Sequence, residues 1–317
     1  MTRRLFLTGL TLVALLTVVP GLRAFERVVR QDFPVGAGSH LKIDTHRGSI
    51  IITTGSVSFI RVEIHMQPGA QDRQEGDAIL EHLRLDLNPE ANGLFIFARN
   101  IAETRVRFVW EEKQKINLAY YIMVPMDCAL DLRTQDGGIT VGDLQSTLSA
   151  HANRGAIVLK HIHGAVEAET ETASIVMSHA DSNVTATDKL GDIRLGTVDG
   201  FVTASNTSAD IDVQHVQGGA KIYANAGDIN VGFAAGVQKD ADFKTNGGAI
   251  YVRLDPLAHC RIEATSSPLG KVTTKVRLNI TAGGNKQSAL SGELNGGGPL
   301  LSFHAHGGYV EINPPRI

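Results

Sequence analysis

The chain has little net charge, few aromatic residues and only two cysteines. Its 33 acidic and 30 basic residues leave a formal charge of −3, which disfavours a nucleic-acid binder that works through bulk electrostatics. Aromatic residues make up 5% of the chain, yet the apolar share of 43% is enough for a folded core and disfavours wholesale disorder. The length of 317 residues allows two domains or one long repeat array.

The sequence also lacks the common motifs of enzyme active sites. It contains no Gly-x-Ser-x-Gly, no His-Glu-x-x-His and no Cys-x-x-Cys. Two glycine-rich stretches, at 283–284 and 296–298, do not open a helix and therefore do not predict phosphate cradles. We therefore expect a protein with no catalytic residues and no cofactor.

The one long hydrophobic run lies at the N-terminus. A short basic start precedes residues 5–20, which are apolar apart from threonines and one glycine, and Ala24 offers a cleavage site. This order predicts a secretory signal peptide over residues 1–24, and hence a periplasmic, cell-surface or secreted protein. The alternative is an uncleaved anchor, because Leu22 is larger than the residue preferred two positions before the cut. No other segment approaches the length that a spanning helix needs.

An 18-residue repeat organises the middle of the chain. Each repeat has a large apolar residue two positions after an isoleucine and a small residue two positions before it. The pattern partly returns nine residues later, again with apolar residues at alternate positions. The isoleucines of the six repeats are Ile139, Ile157, Ile175, Ile193, Ile211 and Ile229.

These columns predict an all-β fold of the β-solenoid class, a stack resembling a parallel β-helix. Alternation at i and i+2 is typical of a strand with one buried face, and small residues at the turns permit close backbone approach. Each 18-residue coil then contributes two short strands, and stacked coils ~4.8 Å apart form two sheets around a thin core. Hexapeptide helices and calcium-binding β-rolls do not fit, because their aliphatic period and their Gly-Gly-x-Gly-x-Asp turns are missing.

The same alternation continues outside the six repeats. A Gly-x-Ile-x-Val motif at 248–252 follows a three-residue insertion, and related motifs lie before the array at 41–52 and near the end of the chain at 308–312. A short helix over 72–82 and a hairpin over 83–98 are predicted ahead of the array.

We divide the mature chain into two parts on this basis. Residues 25–125 form a β region that caps the solenoid, and residues 126–317 form the repeat domain. A cap is expected because an open solenoid end exposes the edges of its strands.

The two cysteines are predicted to remain separate thiols. Cys128 precedes the first regular coil and Cys260 follows the last, so stacking places them more than about 20 Å apart. A disulfide requires Cα atoms closer than ~7 Å. Each cysteine alternates with apolar residues, which predicts burial, although an exported protein can form disulfides.

The turn motifs resemble those of the putative adhesin family of exported bacterial β-strand-repeat proteins. The resemblance rests on residues 130–134 leading into Gly-Gly-Ile at 137–139, on Gly-Asp-Ile at 191–193 and 227–229, and on the glycine-rich run 292–299. It covers most of the mature chain and implies an exported β-repeat fold with a function in adhesion. It supplies no catalytic residues.

Stacking also places four metal-ligating side chains at one turn. His161 and His179 share one column, and His163 and Asp181 share the column two positions on, which puts neighbours within roughly 5–7 Å at Cα. Imidazole and carboxylate groups are ligands of Zn²⁺ and similar ions. We take these four residues as candidate metal ligands; the alternative is a set of exposed polar residues that the repeat aligns.

Two other surface columns have weaker functional signals. Asp192, Asp210 and Asp228 form a like-charge column, which we interpret as solvated turn residues that accept hydrogen bonds from backbone amides. Outward glutamates and hydroxyl residues between 167 and 205 present a flat polar face. That face is either a glycan-binding surface or an ordinary β-surface that keeps the protein soluble.

Together these patterns predict an exported, non-enzymatic β-solenoid that serves as a structural or binding module at the cell surface or in the periplasm. Its candidate partners are a glycan or an envelope protein, and adhesion is the function that the family resemblance implies. The alternative is a solenoid enzyme that acts on polysaccharide. Glycoside hydrolysis would need two facing carboxylates at a groove, and the repeat region offers no such pair.

Overall fold

The computed structural model describes residues 25–70, 72–100, 116–233 and 236–315, so the predicted signal peptide lies outside the described residues. Within these ranges the chain forms 27 strands and one short helix. The strands make up two sheets of 13 and 14 strands, here called sheet A and sheet B, which confirms the predicted all-β solenoid. The one described helix is too short to cross a membrane.

The N-terminal region contains the predicted helix and hairpin. The helix begins after Asp72, whose carboxylate caps it by accepting a hydrogen bond from the amide of Glu75 at 2.9 Å. The two strands of the hairpin pair in antiparallel register across a two-residue turn. In chain order the elements are β1 (Arg27–Pro34), β2 (His40–Arg47), β3 (Ser49–Gly55), β4 (Phe59–Pro68), α1 (Arg73–Leu80), β5 (Leu83–Glu90), β6 (Gly93–Asn100) and β7 (Ile116–Pro125).

The regular array follows, and each of its coils places one strand in each sheet. Neighbouring coils pair in parallel, in the register that the 18-residue period predicts. The strands are β8 (Ala129–Asp136), β9 (Ile139–Val141), β10 (Leu148–Arg154), β11 (Ile157–Ile162), β12 (Val166–Thr170), β13 (Ile175–Ala180), β14 (Val184–Asp188), β15 (Ile193–Val198), β16 (Val202–Asn206), β17 (Ile211–Val216), β18 (Ala220–Ala224), β19 (Ile229–Phe233), β20 (Ala241–Thr245) and β21 (Ile250–Leu254).

The six repeat isoleucines form a buried ladder along sheet A. Each is fully buried and pairs with the isoleucine of the next coil. The ladder continues to Ile50 on one side and, across the three-residue insertion, to Ile250 on the other. Sheet B faces it mainly with valine and alanine, so the core between the sheets is thin, as predicted.

At one turn of the array the backbones of two coils come so close that a side chain does not fit. At Gly155, with φ of 154°, a Cβ atom would lie 2.0 Å from the carbonyl oxygen of Gly137 in the preceding coil. Glycine is therefore required there both by conformation and by space.

Buried polar side chains fill this same corner, at the carboxyl ends of the sheet B strands. Thr170 donates a hydrogen bond to the carbonyl of Gly155 at 3.2 Å, and the amide group of Asn206 donates to the carbonyl of Gly191 at 2.6 Å. Thr245 donates in the same way to a glycine carbonyl at 2.9 Å. Asp188 lies in register between Thr170 and Asn206 and is equally buried. We call these residues the corner column.

The last part of the chain contains strands that extend beyond the regular array. The last of them carries the alternating motif that the sequence predicts at 308–312 and pairs in parallel with the last strand of the array. The elements are β22 (Cys260–Ser266), β23 (Val272–Thr274), β24 (Asn279–Gly283), β25 (Ala289–Leu294), β26 (Leu300–Ala305) and β27 (Val310–Asn313).

The order of strands departs from chain order at both ends of the stack. At one end β2 pairs with β8 and β3 with β9, so a coil from the N-terminal region joins both sheets directly. At the other end the final coil inserts into the stack: β26 lies between β20 and β22, and β27 lies between β21 and β23. Three of the four outermost strands, β1, β5 and β24, pair in antiparallel fashion with their neighbours, whereas the fourth, β23, pairs in parallel with β27.

The two cysteines are separate and buried thiols. Cys128 lies just before β8, and Cys260 begins β22 near the other end of sheet B. Burial raises the pKa of each thiol to about 11. Neither cysteine is therefore a reactive thiolate at neutral pH.

Candidate functional site

The four predicted metal ligands lie together at one corner of the solenoid, and we call them the histidine cluster: His161, His163, His179 and Asp181. His161 and His179 are opposite residues of β11 and β13. His163 and Asp181 follow two positions later, after a fully buried residue in each strand. Because side chains alternate at this corner, the buried residue points into the core and the four cluster side chains remain 36–44% exposed.

Hydrogen bonds between coils hold the backbone of the cluster. The amides of His163 and Asp181 each donate to a carbonyl of the preceding coil, at 2.9 and 3.2 Å. The carboxylate of Asp143, one coil earlier, accepts a hydrogen bond from the amide of His161 at 3.3 Å. The stacking of coils therefore fixes the positions from which the four side chains project.

Three imidazole rings converge on the carboxylate of Asp181. Nε2 of His161 lies 2.6 Å from its Oδ1, and Nε2 of His179 lies 3.1 Å from the same oxygen. Nδ1 of His163 contacts the other oxygen, Oδ2. The ligand atoms of His161, His179 and Asp181 all lie within 4.8 Å of one another.

The rings also stack against one another. The ring centroids of His161 and His163 are 4.2 Å apart, and those of His161 and His179 are 4.3 Å apart. A hydrogen bond from His161 holds the pKa of the Asp181 carboxyl below its ordinary value. The cluster thus presents an ionised carboxylate surrounded by imidazole nitrogens, which can either share protons with it or join it in binding a cation.

Asp199 extends the cluster by one coil, in the same column as His163 and Asp181, although it is not among the four predicted ligands. Its Oδ2 lies 3.4 Å from Nε2 of His179. It follows Asp181 by 18 residues, so the spacing that selected the other residues also points to it. In the same coil Thr197 replaces histidine, which separates the cluster from the exposed His215 of the next coil.

The column of turn aspartates makes backbone hydrogen bonds. The carboxylate of Asp210 accepts from the amide of Asp228 at 2.8 Å, and that of Asp228 accepts from the amide of Ala249 at 2.8 Å. Asp192 instead forms an ion pair with Arg194 at 2.5 Å. Each carboxylate has a local partner, which agrees with the interpretation of these residues as turn-stabilising.

The outer face of sheet B carries a continuous row of side chains across eight adjacent strands. Each strand contributes one outward residue, and the strand pairing places these residues directly beside one another. The row contains two aromatic rings, four charged or titratable groups and two hydroxyl groups. We call it the outer row: Phe97, Asp44, Arg133, His151, Glu169, Thr187, Ser205 and Tyr223.

A groove of about 320 Å³ runs along part of the outer row. It includes Asp44, Arg133, His151 and Glu169 of the row, and Arg99 lies beside them. The sequence analysis identified the polar face but not the groove, because Asp44 and Arg99 come from strands outside the regular repeat.

Comparisons with known proteins give a general likeness only. No family model and no curated protein matches the chain. A putative adhesin from Bacteroides fragilis is 14% identical, with 91% of this chain and 97% of that protein covered and a TM-score of 0.38. A putative cell adhesion protein from Clostridium sporogenes is 9% identical, with 91% and 100% covered and a TM-score of 0.20. At these TM-scores the likeness carries no argument about this chain, whose fold rests on its own strand pairing.

Proposed function

We propose that this chain is an exported, non-enzymatic β-solenoid that serves as a binding module of the cell envelope and binds a neutral, linear polysaccharide along the outer row. Adhesion to a polysaccharide surface is the role that such a module would perform. The observation that carries the proposal is the row itself: eight side chains from eight adjacent strands, aligned in register.

The spacing of the row suits a polymer that lies across the strands. Neighbouring strands are ~4.8 Å apart, so an extended ligand meets a new side chain at each coil. Tyr223 has 41% of its surface exposed and offers a ring on which an apolar sugar face can stack. Thr187 and Ser205 lie next to it and offer hydroxyl groups. A repeating array of weak contacts gives affinity through multiple simultaneous engagement.

The charges in the groove favour a neutral ligand. Glu169 pairs with His151 at 3.1 Å, and Asp44 pairs with Arg99 at 3.5 Å. Because acidic and basic groups alternate and partner each other, the groove has no field of one sign that would select a strongly charged polymer.

The same pairing supports a binding role over the alternative of a polysaccharide-degrading enzyme. Glycoside hydrolysis needs one protonated carboxyl group as acid and a second carboxylate as base or nucleophile. The groove carboxylates of Asp44, Glu169 and Glu171 each have a cationic or imidazole partner, the last through Lys189 at 2.5 Å. Each of these carboxylates is therefore already engaged with a neighbouring side chain, as in a surface ion-pair network.

Binding to polysaccharides of different charge tests the proposal. We expect the purified protein to bind neutral linear glucans and to bind polygalacturonate less well in the same assay. Substitution Tyr223→Ala should weaken glucan binding about 3- to 10-fold, the loss expected for one stacked ring. Tyr121→Ala is the matched control, because Tyr121 is 45% exposed but lies on β7 of sheet A.

Two outcomes would contradict the proposal. Equal weakening by Tyr121→Ala and Tyr223→Ala, or no binding to any neutral polysaccharide, would remove the outer row as the binding surface. Release of new reducing ends during the same incubations would favour the enzyme alternative.

Export is tested separately by fractionating cells that express the chain with and without residues 1–24. The shortened chain should stay in the cytoplasm.

A further inference from the structure

A second binding site lies on a different surface, at the corner beside sheet A. We propose that the histidine cluster binds one divalent transition-metal ion of the Zn²⁺ class, with His161, His163, His179 and Asp181 as its ligands. This site is independent of the polysaccharide surface, because its residues come from β11, β13 and the turns that follow them.

The donor set is the one that Zn²⁺ prefers. Zn²⁺ is bound in proteins by imidazole nitrogen at ~2.0–2.1 Å and by carboxylate oxygen at ~2.0–2.2 Å, usually in tetrahedral geometry. Three imidazoles and one carboxylate complete such a set. Within the described residues, this corner is the one place where at least three metal-ligating side chains converge on one another.

For His161, His179 and Asp181 the distances need only a small adjustment to admit an ion. Bonds of ~2.0–2.1 Å in a tetrahedron place neighbouring ligand atoms roughly 3.3 Å apart. Nε2 of His179 is already 3.1 Å from Oδ1 of Asp181, whereas Nε2 of His161 is 2.6 Å from that oxygen. Because these side chains are partly exposed, a slight rotation of His161 opens the required space without disturbing the core.

The electrostatics of the corner also favour a cation. Every ion-pair contact that the structure gives the Asp181 carboxylate comes from an imidazole, and none comes from a lysine or arginine. Asp199 adds a second carboxylate beside His179, 3.4 Å from its Nε2. An ion bound among neutral imidazoles would therefore be attracted by two carboxylates rather than repelled by a permanent positive charge.

The backbone is prepared for binding before the ion arrives. The ligands project from two stacked coils whose amides bond to the preceding coil, so little chain entropy is lost on binding. His161 and His179 project from paired strands, which hold ligand geometry more precisely than loops do. The ion would link two neighbouring coils and add stability by binding the folded state alone.

Titration with Zn²⁺ alone tests the site. The purified protein, prepared without a polyhistidine tag, should bind one Zn²⁺ per chain at neutral pH in calorimetry. With Co²⁺ as a spectroscopic probe it should show the intense visible absorption of a tetrahedral ion. Loss of an outer-shell contact typically lowers metal affinity roughly 10–100-fold. Because the double variant His161→Ala, His179→Ala removes two direct ligands, its Zn²⁺ affinity should fall by more than that. Circular dichroism should show unchanged strand content, because both side chains are at the surface.

His215→Ala provides the matched control. His215 is exposed in the same 18-residue column, two coils beyond His179, so its loss should leave Zn²⁺ affinity unchanged. The proposal is overturned if the protein binds no Zn²⁺, if the double variant and the control bind equally, or if the Co²⁺ spectrum is that of an octahedral, mostly hydrated ion.

Discussion

Asp188 is a carboxyl group in a position that suits an amide, and Asp188→Asn should stabilise the protein at neutral pH. The side chain is 1% exposed. Its Oδ1 accepts hydrogen bonds from the amides of Leu190 and Gly191, both at 3.1 Å, but its Oδ2 is buried without a partner. A buried polar atom without a hydrogen bond is costly, and an ionised one more so.

The next coil shows how the same position is satisfied. Asn206 pairs in register with Asp188, and its Oδ1 likewise accepts two backbone amide hydrogen bonds. Its Nδ2, in the place of the unpaired oxygen, donates to the carbonyl of Gly191 at 2.6 Å. The equivalent carbonyl for Asp188 is that of Ala173, which lies 18 residues before Gly191. An amide or a protonated carboxyl group at 188 can donate to it, whereas a carboxylate cannot.

The magnitude follows from the pKa. Burial, with a smaller contribution from the nearby carboxylate of Asp192, raises the pKa of Asp188 from 3.8 to about 6. A carboxyl group with a raised pKa in the folded state contributes its full stability below pH 3.8, and this contribution is lost as the pH rises through about 6. Above that pH the loss lowers the free energy of unfolding by about 3 kcal/mol. Asp188→Asn should largely prevent this loss.

Urea unfolding at several pH values measures the effect. We expect Asp188→Asn to raise the unfolding midpoint clearly at pH 7.5 and little at pH 4, so that the midpoint of the variant falls less between these values. Midpoints are the quantity to compare, because long repeat arrays can depart from two-state unfolding. Asn206→Asp is the reciprocal control and should destabilise the protein at pH 7.5 more than at pH 4. Equal or lower stability of Asp188→Asn at pH 7.5 would refute the reasoning.

Two further predictions concern the core. Ile193→Asp should lower the free energy of unfolding by about 4 kcal/mol or more, because it places an unpaired charge at a fully buried site in the middle of the ladder. Ile193→Val should lower it by only about 1 kcal/mol. Comparable melting temperatures for the two variants would contradict the burial of Ile193. Cys128 and Cys260 should react with a thiol reagent at pH 8 only after unfolding, because burial raises both thiol pKa values to about 11. The unfolded protein should then show two reactive thiols per chain. Fast reaction of the native protein would show that the thiols are accessible.

Sequence periodicity predicted the array well because every coil repeats the same buried contacts. The isoleucine ladder, the register of Ile229 with Ile250 across the insertion, and the short helix predicted over 72–82 all follow from local patterns. Each depends on spacing or on residues that are near in sequence, which is the information that a single chain displays most directly.

The ends of the stack could not be predicted in the same way. The strands β22 and β26 have the same alternation of apolar and polar residues, so either could have followed β20 in sheet B. The choice depends on which coil packs best against the array and on the antiparallel pairing of β25 with β22. Such long-range competition leaves no mark in the local pattern.

The candidate sites show the same division between local pattern and long-range pairing. The histidine cluster was predictable because one period separates His161 from His179, and stacking converts that interval into contact. The groove was not, because Asp44 reaches Arg133 only through the pairing of β2 with β8 across a long stretch of chain. The repeat also explains why the histidine cluster is confined to a few coils. Where Thr197 replaces histidine, the imidazole column stops although the backbone pairing continues unchanged. The repeated core columns thus hold the solenoid in register, while the outward positions vary from coil to coil, so that two or three neighbouring coils can together build a local site.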